Sequence, residues 1–299
     1  MSKIQQALEK SRGQRGADST GDKGATDPGP MTSIGPLQRS HALAVMSDTR
    51  LLSTDVLESR HIVHPRMSDR EVLDGYRGLR STLMRKVNGH ANLVCVTSVW
   101  PKGNDGLVAA NLATVIAADE SRSALLIDCN LAHPSANRLF EIADGPGLSD
   151  YLADKSVGVE TVIRPAGVRR LRVIPVGKGN PEGDCFLLRR MKDMIAEIRA
   201  RYDDRMIVLN APPIGSCADA TILAEQSDYV VLSVPYGRVT AAQIADAARA
   251  VGTQKVAGVM FCEQPRFPAL RFIDVLSEAF RQFTRPVELA RRVFGVSVT

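Results

Sequence analysis

The sequence predicts an α/β fold, a parallel sheet flanked by helices on both faces in a three-layer α/β/α arrangement. Three observations carry this reading. Six short apolar runs, Leu93–Ser98, Ala124–Cys129, Leu171–Pro175, Met206–Asn210, Tyr229–Val234 and Val256–Cys262, have the near-continuous hydrophobicity of strands buried on both sides. Stretches with helical spacing separate them, the order that builds βαβ units. Three of the runs end at polar positions: the first leads into PKGNDG, the second reaches Asp128 and Asn130, and another stops at Asn210. Folds of this kind gather ligands at the C-terminal ends of their strands.

Taken in order, residues 1–40 form an arm, in which 1–12 allow one short amphipathic helix and 13–36 are too rich in Gly, Ser, Asp and Pro to fold. Residues 41–70 read as a connecting segment, a strap along the main domain. That domain spans 71–264. It opens with an amphipathic helix over 71–87 and continues with helices over 106–119, 184–201, 217–226 and 240–252 between the strands. Residues 265–299 form a C-terminal helix and tail, the helix carried by Leu270, Ile273, Leu276 and Phe280.

Composition narrows the class. With 44% hydrophobic and 24% charged residues the chain is an ordinary soluble globular protein. The net charge of +5 sits on the flanks, about +4 over residues 1–90 and +2 over 263–299 against −1 between them. That suits an anionic membrane surface or an acidic partner. No basic stripe with interleaved aromatics points to nucleic acid. The five cysteines show no metal-type spacing, and Cys95 and Cys129 fall inside apolar runs, which fits a reducing cytoplasm. No apolar stretch reaches the roughly 18 residues of a span, and residues 1–16 lack the apolar core of a secretory signal.

The segment Val94–Ala113, VCVTSVWPKGNDGLVAANLA, has the frame of a nucleotide-binding strand, loop and helix. Such a loop needs small glycines so that backbone N–H groups wrap phosphates, a Lys for the terminal phosphates and a Ser or Thr for Mg²⁺. Counted back from Asn111-Leu112-Ala113, the Lys position holds Asp105, and Gly106 and Leu107 come next where Ser or Thr belongs. The second motif reads Asp128-Cys129-Asn130-Leu131-Ala132-His133-Pro134, the third Asn210-Ala211-Pro212-Pro213, with Gly145–Leu152 (GPGLSDYL) between them. Before the first strand, Asp74, Arg77 and Arg80 share one helical face.

This ordered set resembles the bacterial tyrosine kinases of capsule and exopolysaccharide synthesis, which belong to the MinD/ParA-like P-loop ATPases. The resemblance covers roughly residues 71–262 and implies a P-loop NTPase-like fold. In that family the loop reads close to SPGEGKST, the second strand ends in D-x-D-L-R-R-P and the third in D-x-P-P. Against that pattern the resemblance makes Lys102, Gly103, Asn104, Asp105, Gly106 and Leu107 a vestigial nucleotide loop and Asp128, Asn130 and Asn210 vestigial catalytic positions. Cys262 stands where the family has a base-contacting Asn. The resemblance makes Asp74, Arg77 and Arg80 a subunit or partner interface. The family's tyrosine-rich tail has no counterpart, since the last tyrosine is Tyr236.

Charge decides what the departures mean. At about 4 Å and an effective dielectric near 20, each misplaced charge pair costs about 4 kcal/mol as an upper figure. Half of that is more than a tenfold loss of affinity. No cofactor or metal is expected, and the resemblance implies a pseudokinase. Its partner would be a separate membrane polysaccharide co-polymerase, or an active kinase of the same family. A homo-oligomer and a peripheral place at the inner face of the cell membrane are also implied. Two other readings stay open: an active tyrosine autokinase that uses ATP and Mg²⁺ through a loop rebuilt around Lys102, and a ParA/MinD-like positioning protein. His133 lacks a convergent acid or nucleophile, and Trp100 reads either as filling for the loop cavity or as a partner contact.

Overall fold

In the computed structural model a seven-stranded sheet carries the architecture, and residues 50–87, 92–101, 106–179, 185–187, 189–202 and 205–262 are described. The elements, in chain order, are α1 (Thr54–Ser59), α2 (Arg70–Lys86), β1 (Leu93–Ser98), α3 (Leu107–Ala117), β2 (Ser123–Asp128), α4 (Ala136–Phe140), α5 (Leu148–Ala153), α6 (Val159–Val162), β3 (Arg164–Pro165), β4 (Leu171–Ile174), α7 (Arg189–Arg201), β5 (Arg205–Asn210), α8 (Ala218–Gln226), β6 (Tyr229–Pro235), α9 (Ala241–Ala250) and β7 (Val256–Cys262). The strand order is β3-β4-β2-β5-β1-β6-β7. All pairings are parallel except β3 with β4, so the sheet is mixed at one edge rather than wholly parallel. A two-residue strand carries no periodic signal, which is why the sequence does not disclose it.

The apolar runs form strands because both sheet faces are covered. Every residue of β1, β2 and β5 is buried. Alternate side chains feed two cores, as the strand period of two requires. Val94, Val96, Leu126 and Val208 join the layer of α1 to α4, and Cys95, Leu125, Ile127 and Leu209 join that of α5 to α9. Burial pushes the Cys95 thiol up to about 12, so it is inert filling. The region read as one helix over 184–201 is a single 3₁₀ turn, Cys185–Leu187, followed by α7. Helices α1, α4, α5 and α6 have six residues or fewer, too short for the periodicity that reveals the longer ones.

Residues 50–69, assigned by sequence to a connector, contribute to the core. Helix α3 is buried all round, every residue from Val108 to Ala117 being covered. A helix of that kind must be wrapped on its outer side as well. Leu57, Ile62 and Val63 supply that cover. The Asn111 side chain fixes it: its Oδ1 accepts from Val63 N at 2.9 Å and its Nδ2 donates to the His61 carbonyl at 3.0 Å. Tyr76 of α2 also hydrogen-bonds Asn111, and burial raises its hydroxyl pKa well above the ordinary tyrosine value. The amino-terminal arm, 1–40, the first part of the connecting segment, 41–49, and the C-terminal helix and tail, 265–299, lie outside the described residues.

Replacing Asn111 by Ala leaves the buried Val63 N–H without an acceptor, at a cost of about 1–3 kcal/mol. Urea unfolding is expected to show that loss, and hydrogen exchange to show faster turnover at the Val63 amide.

Candidate functional site

The C-terminal ends of β1, β2 and β5 lie side by side, and the parallel register sets Asp128 directly opposite Asn210. Strand β1 ends at Ser98, and the chain turns through Val99 and Trp100, with Trp100 N donating to Ser98 Oγ at 3.1 Å. Residues Lys102, Gly103, Asn104 and Asp105 lie outside the described residues. The chain resumes at Gly106, the N-cap of α3, with φ at 75° in the left-handed region. Leu107 begins the helix and is half-buried.

Asp128 is fully buried and surrounded by donors. Its Oδ2 accepts from Ser135 N at 2.7 Å, Ala136 N at 2.9 Å and Ser135 Oγ at 3.2 Å. Its Oδ1 accepts from Asn210 Nδ2 at 2.8 Å and from Asn130 N at 3.3 Å. Asn210 Nδ2 also reaches Ser135 Oγ at 3.3 Å. Asn130 faces its own turn, its Oδ1 accepting from His133 N at 3.3 Å, and His133 itself is exposed. One knot of side chains thus ties β2, the turn 130–136 and β5 together.

Gly106 closes the knot from the loop side. A Cβ on it would lie 2.0 Å from Ser135 Oγ and 2.8 Å from Asn210 Nδ2. Only glycine fits here, for two separate reasons: the left-handed backbone and the absence of space.

The remaining sequence candidates fall elsewhere. Cys262 ends β7, four strands from β2, which at about 4.8 Å per strand is roughly 19 Å away. Its Sγ lies 3.5 Å from Ser233 Oγ, and burial raises its thiol pKa. The helical trio divides. Asp74 and Arg77 form an exposed pair at 3.2 Å, whereas Arg80 turns inward and donates to the Val115 carbonyl at 3.1 Å. There it neutralises the negative end of α3. The Gly145–Leu152 segment is an anchor: Asp150 accepts from Gly147 N at 2.8 Å and Lys178 N at 3.0 Å. A Cβ on Gly147 would sit 2.3 Å from the Pro175 carbonyl.

Two contributors escape the sequence reading. Ser135 donates twice to Asp128, and Asn111 holds the strap. The only hint of Ser135 is a small polar residue seven places after a strand-end acid. Asn111 reads in sequence as part of an apolar helix.

A mostly parallel sheet whose first strand is followed by a buried helix, beside acid- and amide-tipped neighbours, defines a P-loop NTPase-like α/β protein. The chain belongs to the bacterial tyrosine-protein kinases. It is 31% identical over 182 residues to the tyrosine-protein kinase YwqD of Bacillus subtilis, covering 60% of this chain and 75% of that one. It is 27% identical over 174 residues to the tyrosine-protein kinase etk of Escherichia coli K12, covering 58% of this chain but 23% of etk. It spans only 30% of EpsB of Ralstonia solanacearum. Among solved structures, the kinase domain of E. coli ETK superposes with a TM-score of 0.58 at 22% identity, covering 74% of this chain and 91% of that one. The BceF tyrosine kinase domain gives 0.54 at 25% identity, covering 69% of this chain and 81% of that one. No protein-family model matches the chain.

Substituting Gly106 with Ser is expected to destabilise the fold. A left-handed β-carbon costs about 1–2 kcal/mol, and overlap with Ser135 adds a cost of similar size. Chemical unfolding of the variant beside the parent measures it.

Proposed function

We propose that this chain is a catalytically degenerate member of the bacterial tyrosine kinases, acting through protein contacts in capsule or exopolysaccharide synthesis or export. One observation carries the reading: Asn210, at the position of the family's third-strand acid, donates a hydrogen bond to Asp128 rather than offering a carboxylate. Phosphoryl transfer is mostly positioning and charge stabilisation. A Mg²⁺ bridging phosphates needs anionic or hydroxyl oxygens free to turn toward it. The residues here do not fit that group. Both Asp128 oxygens are engaged by the chain's own donors, and Gly106 offers no hydroxyl. Asp105 in place of the lysine adds repulsion.

The scaffold persists because a folded surface is enough for binding. The pathway assignment rests on the ordered motifs shared with the polysaccharide-associated kinases. Under this reading the partner is a membrane polysaccharide co-polymerase, or an active kinase of the same family, met at the inner face of the membrane. A homo-oligomer is compatible with it. No described helix is long and apolar enough to cross a membrane. The exposed Asp74–Arg77 pair on α2 is the proposed contact; Arg80 is committed to the Val115 carbonyl instead.

Isothermal titration of the full chain with Mg-ATP is expected to show no binding in the micromolar range, and coupled assays no ATP turnover; either signal defeats the proposal. An Arg77→Glu change is expected to leave the unfolding free energy within about 0.5 kcal/mol of wild type, because exposed pairs contribute little. It is expected to weaken association, read by light scattering for the homo-oligomer or by pull-down with the co-polymerase's cytoplasmic segment.

A further inference from the structure

We propose that the cavity between residues 50–52, the end of α4 and strand β3 binds a phosphate monoester dianion on a short apolar stem, with Arg164 as its main partner. The cavity holds about 260 Å³, and Leu52, Phe140, Ile142 and Pro165 give it an apolar lining. Strand β3 stands two places from β2 in the sheet, roughly 10 Å at about 4.8 Å per strand, so the cavity is separate from the Asp128 knot.

Three stretches of chain build the walls and are fastened to one another. Leu52 N donates to the Gly167 carbonyl at 2.8 Å. A Cβ on Gly167 would lie 2.7 Å from Leu52 Cγ, so that approach is close. Arg60 Nη2 donates to Glu141 Oε1 at 2.9 Å and ties the strap to the end of α4. The charged lining is Arg50, Arg164, Glu141 and Asp144. Both acids are committed. Glu141 is held by Arg60 and, at 3.5 Å, by the exposed Arg50, and Asp144 pairs with Lys178 at 3.3 Å. Arg164 has no such partner among the described residues, and its Nε is buried without a hydrogen bond. Its guanidinium lies against Gly145, where a Cβ would come 2.9 Å from Nη2.

Four cations, Arg50, Arg60, Arg164 and Lys178, therefore stand around two carboxylates. The surplus of two positive charges matches a phosphate monoester, which carries about −1.5 to −2 at pH 7. The Nη groups of Arg164 supply a donor fork of the kind that suits phosphate oxygens. The volume falls below the roughly 300 Å³ at which pockets for drug-sized ligands begin, so the stem is short. The apolar lining receives that stem.

Calorimetric titration of the full chain at constant ionic strength tests this with phenyl phosphate, which joins a dianion to a small ring. Saturable binding is expected, with benzoate, a monoanion on the same ring, at least about tenfold weaker. Arg164→Gln is expected to weaken phenyl phosphate by about tenfold or more, because a hydrogen bond to a charged group is lost. Arg169→Gln, which removes an exposed charge outside the cavity, is expected to bind as the natural chain does. Hydrogen exchange of the natural chain is expected to slow at residues 50–52 and 140–144 when phenyl phosphate is added, a readout that does not depend on any variant folding. No saturable binding, benzoate binding as tightly as phenyl phosphate, an equal loss in the two arginine variants, or slowed exchange confined to other segments each overturns the proposal. Mg-ATP binding that leaves phenyl phosphate affinity unchanged defeats the functional reading above and leaves this site standing.

Discussion

The fold's polar centre is one carboxylate. Asp128 sits fully buried at the tip of β2, and its charge is tolerated because five donors converge on it: three backbone N–H groups, a hydroxyl and an amide. A lone buried carboxylate is one of the costliest groups a protein can hold. Charge-assisted hydrogen bonds are correspondingly strong in the same surroundings. Because the donors come from Asn130, Ser135, Ala136 and Asn210, this one group sets the path of the turn after β2 and its distance to β5. Gly106 then takes its conformation from what the knot leaves free.

Kinship with the kinases gives this centre its meaning. Membership in the family accounts for the mostly parallel sheet and its flanking helices. It does not by itself supply chemistry. The same strand tips that can present oxygens to a ligand are here turned on one another, and the polar groups that remain are satisfied internally. Retaining Asp128 while residue 210 is an amide is what that local chemistry requires. The acid still has structural donors to receive, and a second acid beside it would be unsupported.

How much of this was legible in the sequence depended on periodicity. Strands β1, β5, β6 and β7 were found to within a residue or so because burial on both faces leaves an uninterrupted apolar run. Helices α2, α3, α8 and α9 announced themselves by spacing. Helices α4, α5 and α6 and strand β3 are too short to complete a repeat. Within the site, Asp128, Asn130 and Asn210 were visible because strand ends are where polar residues stand out. Ser135 and Asn111 were not, since their roles depend on what the chain brings near them from 7 and 48 residues away. Arg80 shows the limit of helical-wheel reasoning: three residues on one stripe divide between solvent and a neighbouring carbonyl, which only the packing of α2 on α3 decides.

The strap across α3 has a consequence for how the molecule is assembled. Residues 50–69 leave the ribosome before the helix they cover, yet nothing in them is apolar enough to form a core alone. They must wait for Asn111 to be synthesised before their backbone finds its partners. Once in place they clothe a greasy cylinder that would otherwise invite aggregation. The unit that folds therefore begins well upstream of its first long helix, and a chain trimmed at residue 70 would lose its own wrapping.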